Sequence, residues 1–237
     1  MEDLIKSIEV SRKVAELTPR NIKSRGAVLN NLGQALSKRH AKTGGKNALE
    51  EAIECFAKAV DVTTPGDQSL TKRLSNLAIS LADRYRLSGE TTNLEMSIAM
   101  AQEAVKVMPP NFPDQAVILN GLANRLRTKY TRLGGREHLD EAIEWAKKAL
   151  ASVPPGHSER PGIANGLQLS LWEKYRLDSQ ASDLEEAVQL AQMAVDYTPL
   201  GHVERPGRLT NLATRLGDRF KISNDIRDLN GAIRISD

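Results

Sequence analysis

Cysteine, aromatic residues and long apolar runs are scarce in this 237-residue sequence, and each shortage excludes a class of protein. There is one cysteine, Cys55, so no intramolecular disulfide can form, which favours a reducing, cytoplasmic compartment. Aromatic residues make up only 4% of the chain, so a core would consist mainly of aliphatic side chains. No apolar run approaches the roughly 20 residues of a membrane-spanning helix, and the first residues lack the pattern of a secretory signal. We therefore expect no membrane partner.

The charge balance gives weak support for nucleic-acid binding. Lysine and arginine total 33 against 30 aspartate and glutamate, a net charge of +3. The basic residues are spread along the chain, whereas nucleic-acid-binding proteins concentrate them on one face or in blocks. A solvated helical surface is the better interpretation, and nucleic acid is a disfavoured partner.

An interval of 45 residues recurs along the chain. One leucine column contains Leu4, Leu49, Leu94, Leu139, Leu184 and Leu229. A second contains Leu32, Leu77, Leu122, Leu167 and Leu212. A third column contains the ring-bearing residues His40, Tyr85, Tyr130, Tyr175 and Phe220, which we expect to pack in the core. Three columns that keep the same interval without an insertion indicate repeats of one structural unit.

Each repeat is predicted to contain two helices. Apolar residues of the first helix recur at helical spacing, as in Leu74, Leu77, Ala78, Leu81 and Tyr85. Gly44, Gly89 and Gly134 follow, where a helix ends on a left-handed residue. Capping boxes are predicted to start the second helices at Thr92-Asn93-Leu94-Glu95 and Ser182-Asp183-Leu184-Glu185. Proline then ends the second helices at Pro19, Pro65, Pro109, Pro154 and Pro199.

These patterns predict an all-α fold, an α-solenoid with a 45-residue period. We expect a single repeat domain over residues 1–237. It would contain a partial unit at 1–23, full units at about 24–68, 69–113, 114–158 and 159–203, and a partial unit at 204–237. Both ends interrupt the pattern, so we expect a piece of a longer array.

The repeat resembles the tetratricopeptide repeat. The residues that carry the resemblance in the first full unit are Leu29, Leu32-Gly33, Leu36, Ala52, Phe56, Ala59 and Thr64-Pro65. That family has a 34-residue unit, and its Trp and Tyr positions are Leu here, so this is a variant form. The resemblance implies a right-handed superhelix whose first helices line a concave groove that binds a protein or peptide.

A more specific resemblance is to tetratricopeptide arrays of filamentous fungi. It lies in the phrases Leu209-Thr210-Asn211-Leu212-Ala213, Arg219-Phe220 and Asp228-Leu229, and in the loop Thr198-Pro199-Leu200-Gly201-His202 before Arg205-Pro206. In that family the array is joined to NOD-like-receptor (STAND) NTPase modules or to CHAT protease domains. This implies a sensor or regulatory region of a larger fungal signalling protein.

The groove that the resemblance implies provides candidate peptide-binding residues next to the leucine face of the first helices. They are Asn30, Gln34, Lys38, Asn120, Asn124, Arg127, Asn165 and Trp172. Asparagine can bridge a peptide backbone as donor and acceptor, Arg127 and Lys38 would bind acidic groups, and an exposed Trp172 would anchor an apolar side chain. The alternative is that these are ordinary solvated positions. The family's carboxylate clamp for chaperone tails is not expected, because its lysine is missing.

No constellation for catalysis, a cofactor or a metal is visible, so we expect a protein that is not an enzyme. His157 and His202 recur in equivalent loops but lack further ligands at metal-site spacing, and loop structure explains them better. Cys55 lacks a partner histidine and is expected to be a buried thiol.

The favoured hypothesis is thus a protein- or peptide-binding repeat scaffold. The alternative is a structural spacer or self-association element without a specific peptide ligand.

Overall fold

The computed structural model describes residues 2–19 and 24–236. Within those residues the regular secondary structure consists of eleven α-helices and no strand, which confirms the all-α prediction. The chain divides into two compact units, residues 1–112 and 113–237, and each is considered by itself.

Unit 1 contains five helices, each of which packs on the next along the chain. They are α1 (Glu2–Leu17), α2 (Arg25–Thr43), α3 (Lys46–Asp61), α4 (Ser69–Ser88) and α5 (Thr91–Lys106). The pairs α2–α3 and α4–α5 are helical hairpins, each joined by a connection of only two residues. Such short connections make the paired helices antiparallel neighbours.

Unit 2 contains six helices in three hairpins. They are α6 (Gln115–Leu133), α7 (Arg136–Ala151), α8 (Arg160–Asp178), α9 (Ala181–Asp196), α10 (Arg205–Ser223) and α11 (Ile226–Ser236). Consecutive helices pack together, and α6 also contacts α8 directly. The first helices of neighbouring hairpins in this unit are therefore adjacent.

The leucine columns form the core, as their spacing predicted. Leu32, Leu77, Leu122, Leu167 and Leu212 are all buried, as are Leu49, Leu94, Leu139 and Leu184. The ring column is less uniform, because Tyr85 is buried whereas Tyr130 and Tyr175 are half-buried. Tyr130 packs against the core of unit 2. This column thus adds packing at the margin of the core.

The 45-residue period is accommodated by long helices. The first helix α2 has 19 residues and the second helix α3 has 16, and only Gly44 and Gly45 separate them. The extra length that lies between Leu36 and Ala52 therefore extends the two helices of the hairpin instead of forming a long loop.

The first helices end as predicted, on a left-handed residue. Gly44 and Gly89 are left-handed, with φ of 67° and 72°, and Gly134 also has a positive φ of 75° but a ψ of −154°. In the last two hairpins the equivalent residues are Ser179 and Asn224, with φ of 53° and 52°. In each case the amide N–H of this residue donates to a carbonyl four residues earlier, for example Gly89 to Tyr85 at 2.8 Å. The geometry of the turn is therefore kept even where glycine is absent.

The predicted capping boxes are wrong. Helix α5 begins at Thr91 and α9 begins at Ala181, so Thr92 and Ser182 lie inside the helices and cannot cap them. The N-cap residues are Glu90 and Gln180, and neither makes a capping hydrogen bond from its side chain. A hydroxyl within the first turn no longer faces the free amide groups that a cap must satisfy.

The ring of Phe56 on α3 packs closely against Gly33 of α2. A Cβ added to Gly33 would lie 2.7 Å from Cε1 of the Phe56 ring, and Phe56 is only 2% exposed. One repeat later the same pair of positions holds Ala78 and Ala101, both buried. The pairs Gly–Phe and Ala–Ala are thus alternative ways of filling the same space.

An arginine at the start of a first helix binds the carbonyl groups at the end of the preceding second helix. Arg205 Nη1 donates to the carbonyl oxygen of Val195 at 2.8 Å and to that of Thr198. Arg160 Nη1 likewise donates to the carbonyl oxygen of Val153 at 2.8 Å. The carbonyl oxygen of Val195 also accepts the backbone N–H of Thr198 at 3.0 Å. Carbonyl groups at a helix C-terminus carry the negative end of its dipole, so a nearby cation stabilises them.

Replacing Arg205 by Met is expected to lower the free energy of unfolding by about 1.5–3 kcal/mol, since hydrogen bonds from a charged donor contribute this much. Urea denaturation followed by circular dichroism measures the change. The control is Lys221→Met on the same helix, because Lys221 is 76% exposed and its ion pair with Asp218 should contribute at most about 1 kcal/mol. Equal effects of the two changes would contradict a role for the carbonyl contacts.

In the part of the chain that is described, no helix combines the length and the apolar character needed to cross a bilayer.

Candidate functional site

Three of the predicted peptide-binding residues lie on α2 in unit 1. Lys38 is exposed and Gln34 is half-buried. Asn30 is 9% exposed, and its Oδ1 accepts a hydrogen bond of 2.9 Å from Nδ2 of Asn76 on α4. The acceptor oxygen of Asn30 therefore already has a protein partner, and Lys38 is the most accessible of the three.

Four of the predicted residues line one polar cleft in unit 2. The cleft has a volume of about 540 Å³ and lies along the first helices α6, α8 and α10. Its lining residues are Asn120, Asn124 and Arg127 of α6, Gly162, Asn165, Gly166 and Leu169 of α8, Val203 and Glu204 of the preceding loop, and Gly207, Arg208 and Asn211 of α10. Among these residues, the sequence predicts Asn120, Asn124, Arg127 and Asn165 as peptide-binding residues.

Asparagine pairs link neighbouring first helices beside this cleft. Asn211 Nδ2 of α10 donates to Asn165 Oδ1 of α8 at 2.9 Å, and Asn76 and Asn30 form the same pair in unit 1. Between α8 and α6 the pair is missing, because Gly166 stands where Asn76 and Asn211 stand in their repeats. A Cβ on Gly166 would lie 3.1 Å from Asn124 Oδ1 and 3.4 Å from Asn120 Oδ1. The two asparagine side chains therefore pack against this glycine, and Asn120 has no asparagine opposite it on α8.

Two buried polar atoms on α6 have no hydrogen-bond partner among the described residues. They are Oδ1 of Asn120 and Nε of Arg127. Nε of Arg208 on α10 is a third such atom in the lining of the same cleft. A buried polar group without a partner costs about 1–3 kcal/mol, so native proteins keep few of them. All three of these atoms lie in the lining of this one cleft.

The charges in the cleft are unevenly compensated. Arg208 donates from Nη2 to Glu204 and from Nη1 to the hydroxyl of Thr198, so this arginine is paired. Arg127 is half-buried, and burial lowers its pKa below the ordinary arginine value, an effect that nearby Glu173 opposes. Glu173 itself pairs with Arg176 at 3.3 Å. Among the described residues that line the cleft, Arg127 is therefore the cation without an ion pair.

Trp172 is half-buried, so the expectation that it is exposed is wrong, while its role as an anchor stays a prediction. The Arg215 guanidinium lies 4.0 Å and that of Arg176 lies 4.8 Å from the centroid of the indole ring. Trp172 Nε1 donates to Oδ2 of Asp218 at 2.9 Å. Burial lowers the pKa of Arg215 to about 10, while the charge of Asp218 opposes that effect. The ring is thus part of the packing between α8 and α10.

Several lining residues of the cleft were not foreseen, namely Gly162, Gly166, Leu169, Val203, Glu204, Gly207, Arg208 and Asn211. The sequence did contain one signal for them. The column of Asn31, Asn76 and Asn211 is interrupted by Gly121 and Gly166, and a residue type that changes within an otherwise regular column marks a local departure. Interpreting that change requires knowing that Gly166 lies opposite Asn120, which is a three-dimensional fact.

The histidines and the cysteine have structural explanations. His157 and His202 each accept a hydrogen bond at Nδ1 from the amide two residues later, both at 3.2 Å, in equivalent loops. Burial raises the pKa of the Cys55 thiol to about 11, so the reactive thiolate is scarce near neutral pH. Among the described residues, no group of three or more His, Cys, Asp and Glu could hold a metal ion.

Comparison with solved structures identifies the fold. YrrB, a TPR protein with an unusual peptide-binding site, is 15% identical with a TM-score of 0.62, over 96% of this chain and 93% of that one. BtubC (BKLC) from P. vanneervenii is 16% identical with a TM-score of 0.64, over 99% and 89%. The fold is that of tetratricopeptide-like helical repeats.

A putative kinesin light chain from Podospora anserina, with nearly identical TPR-like repeats, gives a similar result. It is 16% identical with a TM-score of 0.60, over 91% of this chain and 97% of that one. Identities this low establish the fold alone. No protein-family model matches the sequence, and no curated protein is detectably similar to it.

Proposed function

We propose that this chain is a protein-binding repeat scaffold and that the cleft of unit 2 holds a segment of a partner protein. The observation that carries the proposal is the group of three buried polar atoms without partners, on Asn120, Arg127 and Arg208, in one open cleft. An extended peptide offers a donor and an acceptor at every residue, so it can satisfy such atoms in series. The chain would act by binding and not by catalysis.

The remaining candidate residues fit the same proposal in different ways. Lys38 is an exposed cation on the first helix α2, where an acidic group of a partner can reach it. Gln34, one turn earlier, is half-buried and would supply an amide donor or acceptor. Trp172 would contribute by fixing the packing of α8 and α10, and Asn30 by its bond with Asn76.

A matched pair of glycine substitutions on α10 tests the proposal. Gly207 lines the cleft and Gly217 does not, and a Cβ at either position meets nothing within 4 Å. Both can therefore be changed to Leu without a clash at Cβ. Peptides selected on the whole chain from a random phage-displayed library would be measured by fluorescence anisotropy against both variants.

The expected result is that selected peptides bind the wild type and Gly217→Leu equally, while Gly207→Leu weakens binding tenfold or more because its side chain occupies the cleft. Circular dichroism checks that both variants keep the fold. A library that yields no peptide sensitive to Gly207→Leu would overturn the assignment of the cleft as a binding site.

The wider context proposed for the scaffold is the sensor or regulatory region of a fungal signalling protein, in one continuous repeat domain. Its support is the resemblance of the loop Thr198–His202 and of the phrase Leu209–Ala213 to fungal arrays attached to NOD-like-receptor or CHAT modules. Sequencing the complete transcript tests this directly. A gene product with neither module would contradict the signalling context, while the proposed scaffold function would be unaffected.

A second candidate is self-association, favoured by an apolar surface between α10 and α11. This surface is lined by Leu209, Ala213, Ile233 and Ile235, and Ile233 is 49% exposed. Exposed apolar patches of this kind mark interaction surfaces. Sedimentation velocity at rising concentration, with Ile233→Glu as the variant, measures it. A mass that stays monomeric at every concentration would eliminate this candidate.

A further inference from the structure

The turn between α4 and α5 in unit 1 differs from the equivalent turn in unit 2 by the loss of one negative charge. We propose that Ser88, at the end of α4, is a phosphorylation site and that Lys46, at the start of α3, binds the phosphate. The modification would tie the hairpin α4–α5 to the hairpin that precedes it. This proposal is independent of peptide binding in unit 2.

An ion pair in unit 2 shows what an anion does at this position of the repeat. Asp178, at the end of α8, accepts from both terminal nitrogens of Arg136, at the start of α7, at 2.7 and 2.6 Å. Two parallel bonds of this kind are charge-assisted and hold both groups in one geometry. The carboxylate therefore links a first helix to the second helix of the preceding hairpin.

Unit 1 has the cation of this pair without the anion. Two repeats earlier, the positions of Arg136 and Asp178 hold Lys46 and Ser88. The Lys46 side chain is exposed and forms no ion pair or hydrogen bond with any described residue. A phosphoserine carries a charge of about −1.5 to −2 and three strong acceptor oxygens. Phosphorylation of Ser88 therefore supplies the missing anion.

The Ser88 oxygen is held at the start of α5, although the residue belongs to α4. Its Oγ accepts from the amide N–H of Glu90 at 3.2 Å and from Nδ2 of Asn93 at 3.0 Å. The dipole at the start of a helix favours an anion. The Glu90 carboxylate opposes a phosphate here, and the nearby Arg84 and Arg86 already pair with acidic residues. The unpaired charge of Lys46 therefore decides the balance.

The turn is open to a protein kinase. Seven consecutive residues, 86–92, are all exposed. In the other hairpin turns a half-buried residue interrupts the exposed run, and these residues are Gly45, Gly134, Asp178 and Asp225. Among the turns that the structure describes, that of Ser88 thus offers an enzyme the longest accessible segment.

The reaction is phosphoryl transfer from a nucleoside triphosphate, catalysed by a protein kinase. The Ser88 oxygen forms a bond to the γ-phosphorus, the bond from that phosphorus to the β–γ bridging oxygen breaks, and nucleoside diphosphate leaves. The hydroxyl proton passes to the catalytic aspartate of the kinase. Arg84 and Arg86 precede Ser88, so this sequence suits a kinase with an acidic substrate groove.

Treating the whole chain with ATP and a kinase that selects arginine before serine, followed by mass spectrometry, tests the site. Most of the phosphate should lie on Ser88, and Ser88→Ala should reduce total incorporation fivefold or more. The control is Ser223→Ala, at the equivalent position of the last hairpin, where Asp225 interrupts the exposed run. Absence of phosphate from Ser88, or equal loss in both variants, would overturn the proposal.

Phosphoserine placed at position 88 during translation tests the partner of the phosphate. A cation beside a phosphate favours its doubly charged form, so the second acid dissociation constant of the phosphate should be about threefold larger than without Lys46. A titration followed by phosphorus NMR measures this constant. Lys46→Met should remove the increase.

The matched control carries phosphoserine at position 223, where Ala181 stands at the place of Lys46. Its dissociation constant should equal that of position 88 in the Lys46→Met variant. If Lys46→Met leaves the constant at position 88 unchanged, Lys46 does not bind the phosphate and the proposed pairing is wrong.

Discussion

Phe56→Ala is expected to lower the free energy of unfolding by about 3–5 kcal/mol, the range for removing a large buried aromatic side chain. Phe56 is 2% exposed and fills the space above Gly33. Gly33→Ala alone should cost about 1–3 kcal/mol, because the new methyl group would lie 2.7 Å from the ring. Urea denaturation measures both values.

The double variant, Gly33→Ala with Phe56→Ala, is the more informative measurement. It recreates the pair Ala78 and Ala101, which is buried one repeat later, so its cost should fall clearly below the sum of the two single changes. A strictly additive result would mean that the two residues do not share one space, and the steric interpretation would be wrong.

Trp172→Ala is expected to cost about 3 kcal/mol, at the lower end of the range for buried tryptophan, because the ring is half-buried. The change removes the surface on which Arg215 stacks at 4.0 Å and exposes that guanidinium's buried partner, Gln168. Trp172→Phe keeps a ring but loses the hydrogen bond to Asp218, so we expect it to lower the free energy of unfolding by about 1 kcal/mol.

Thermal and urea unfolding of both Trp172 variants decide between a packing role and a ligand-anchoring role. If Trp172→Ala leaves the stability unchanged and weakens peptide binding, the tryptophan is an anchor after all. The packing role predicts that Trp172→Ala lowers the free energy of unfolding by about 3 kcal/mol and that Trp172→Phe lowers it by only about 1 kcal/mol.

The leucine columns predicted the fold well because buried residues recur at helical spacing. The interval of 45 residues also stays visible where the residues between the leucines differ from one repeat to the next. The helix ends were predicted less evenly. Gly44 and Gly89 mark their turns because only a left-handed residue fits there. Thr92 and Ser182 failed as caps because a boundary shift of one or two residues moves a hydroxyl from the cap into the helix.

The candidate site was predicted only in part. Asn120, Asn124, Arg127 and Asn165 were found because they lie next to the leucine face of first helices, and helical spacing gives that position. The environment of Trp172 was missed because Arg215 reaches its ring from the next hairpin, 43 positions along the chain. The free acceptor of Asn120 was missed for the same reason, since it depends on Gly166 in another helix.

The exchange of asparagine for glycine at position 166 has a consequence for how such proteins change partners. Where a first helix carries asparagine, as at Asn120, a change of the facing residue between Asn and Gly makes or removes the asparagine pair while the leucine core of the hairpin stays the same. Under the proposed binding function, a single codon can therefore alter the polar surface of one hairpin without altering its fold.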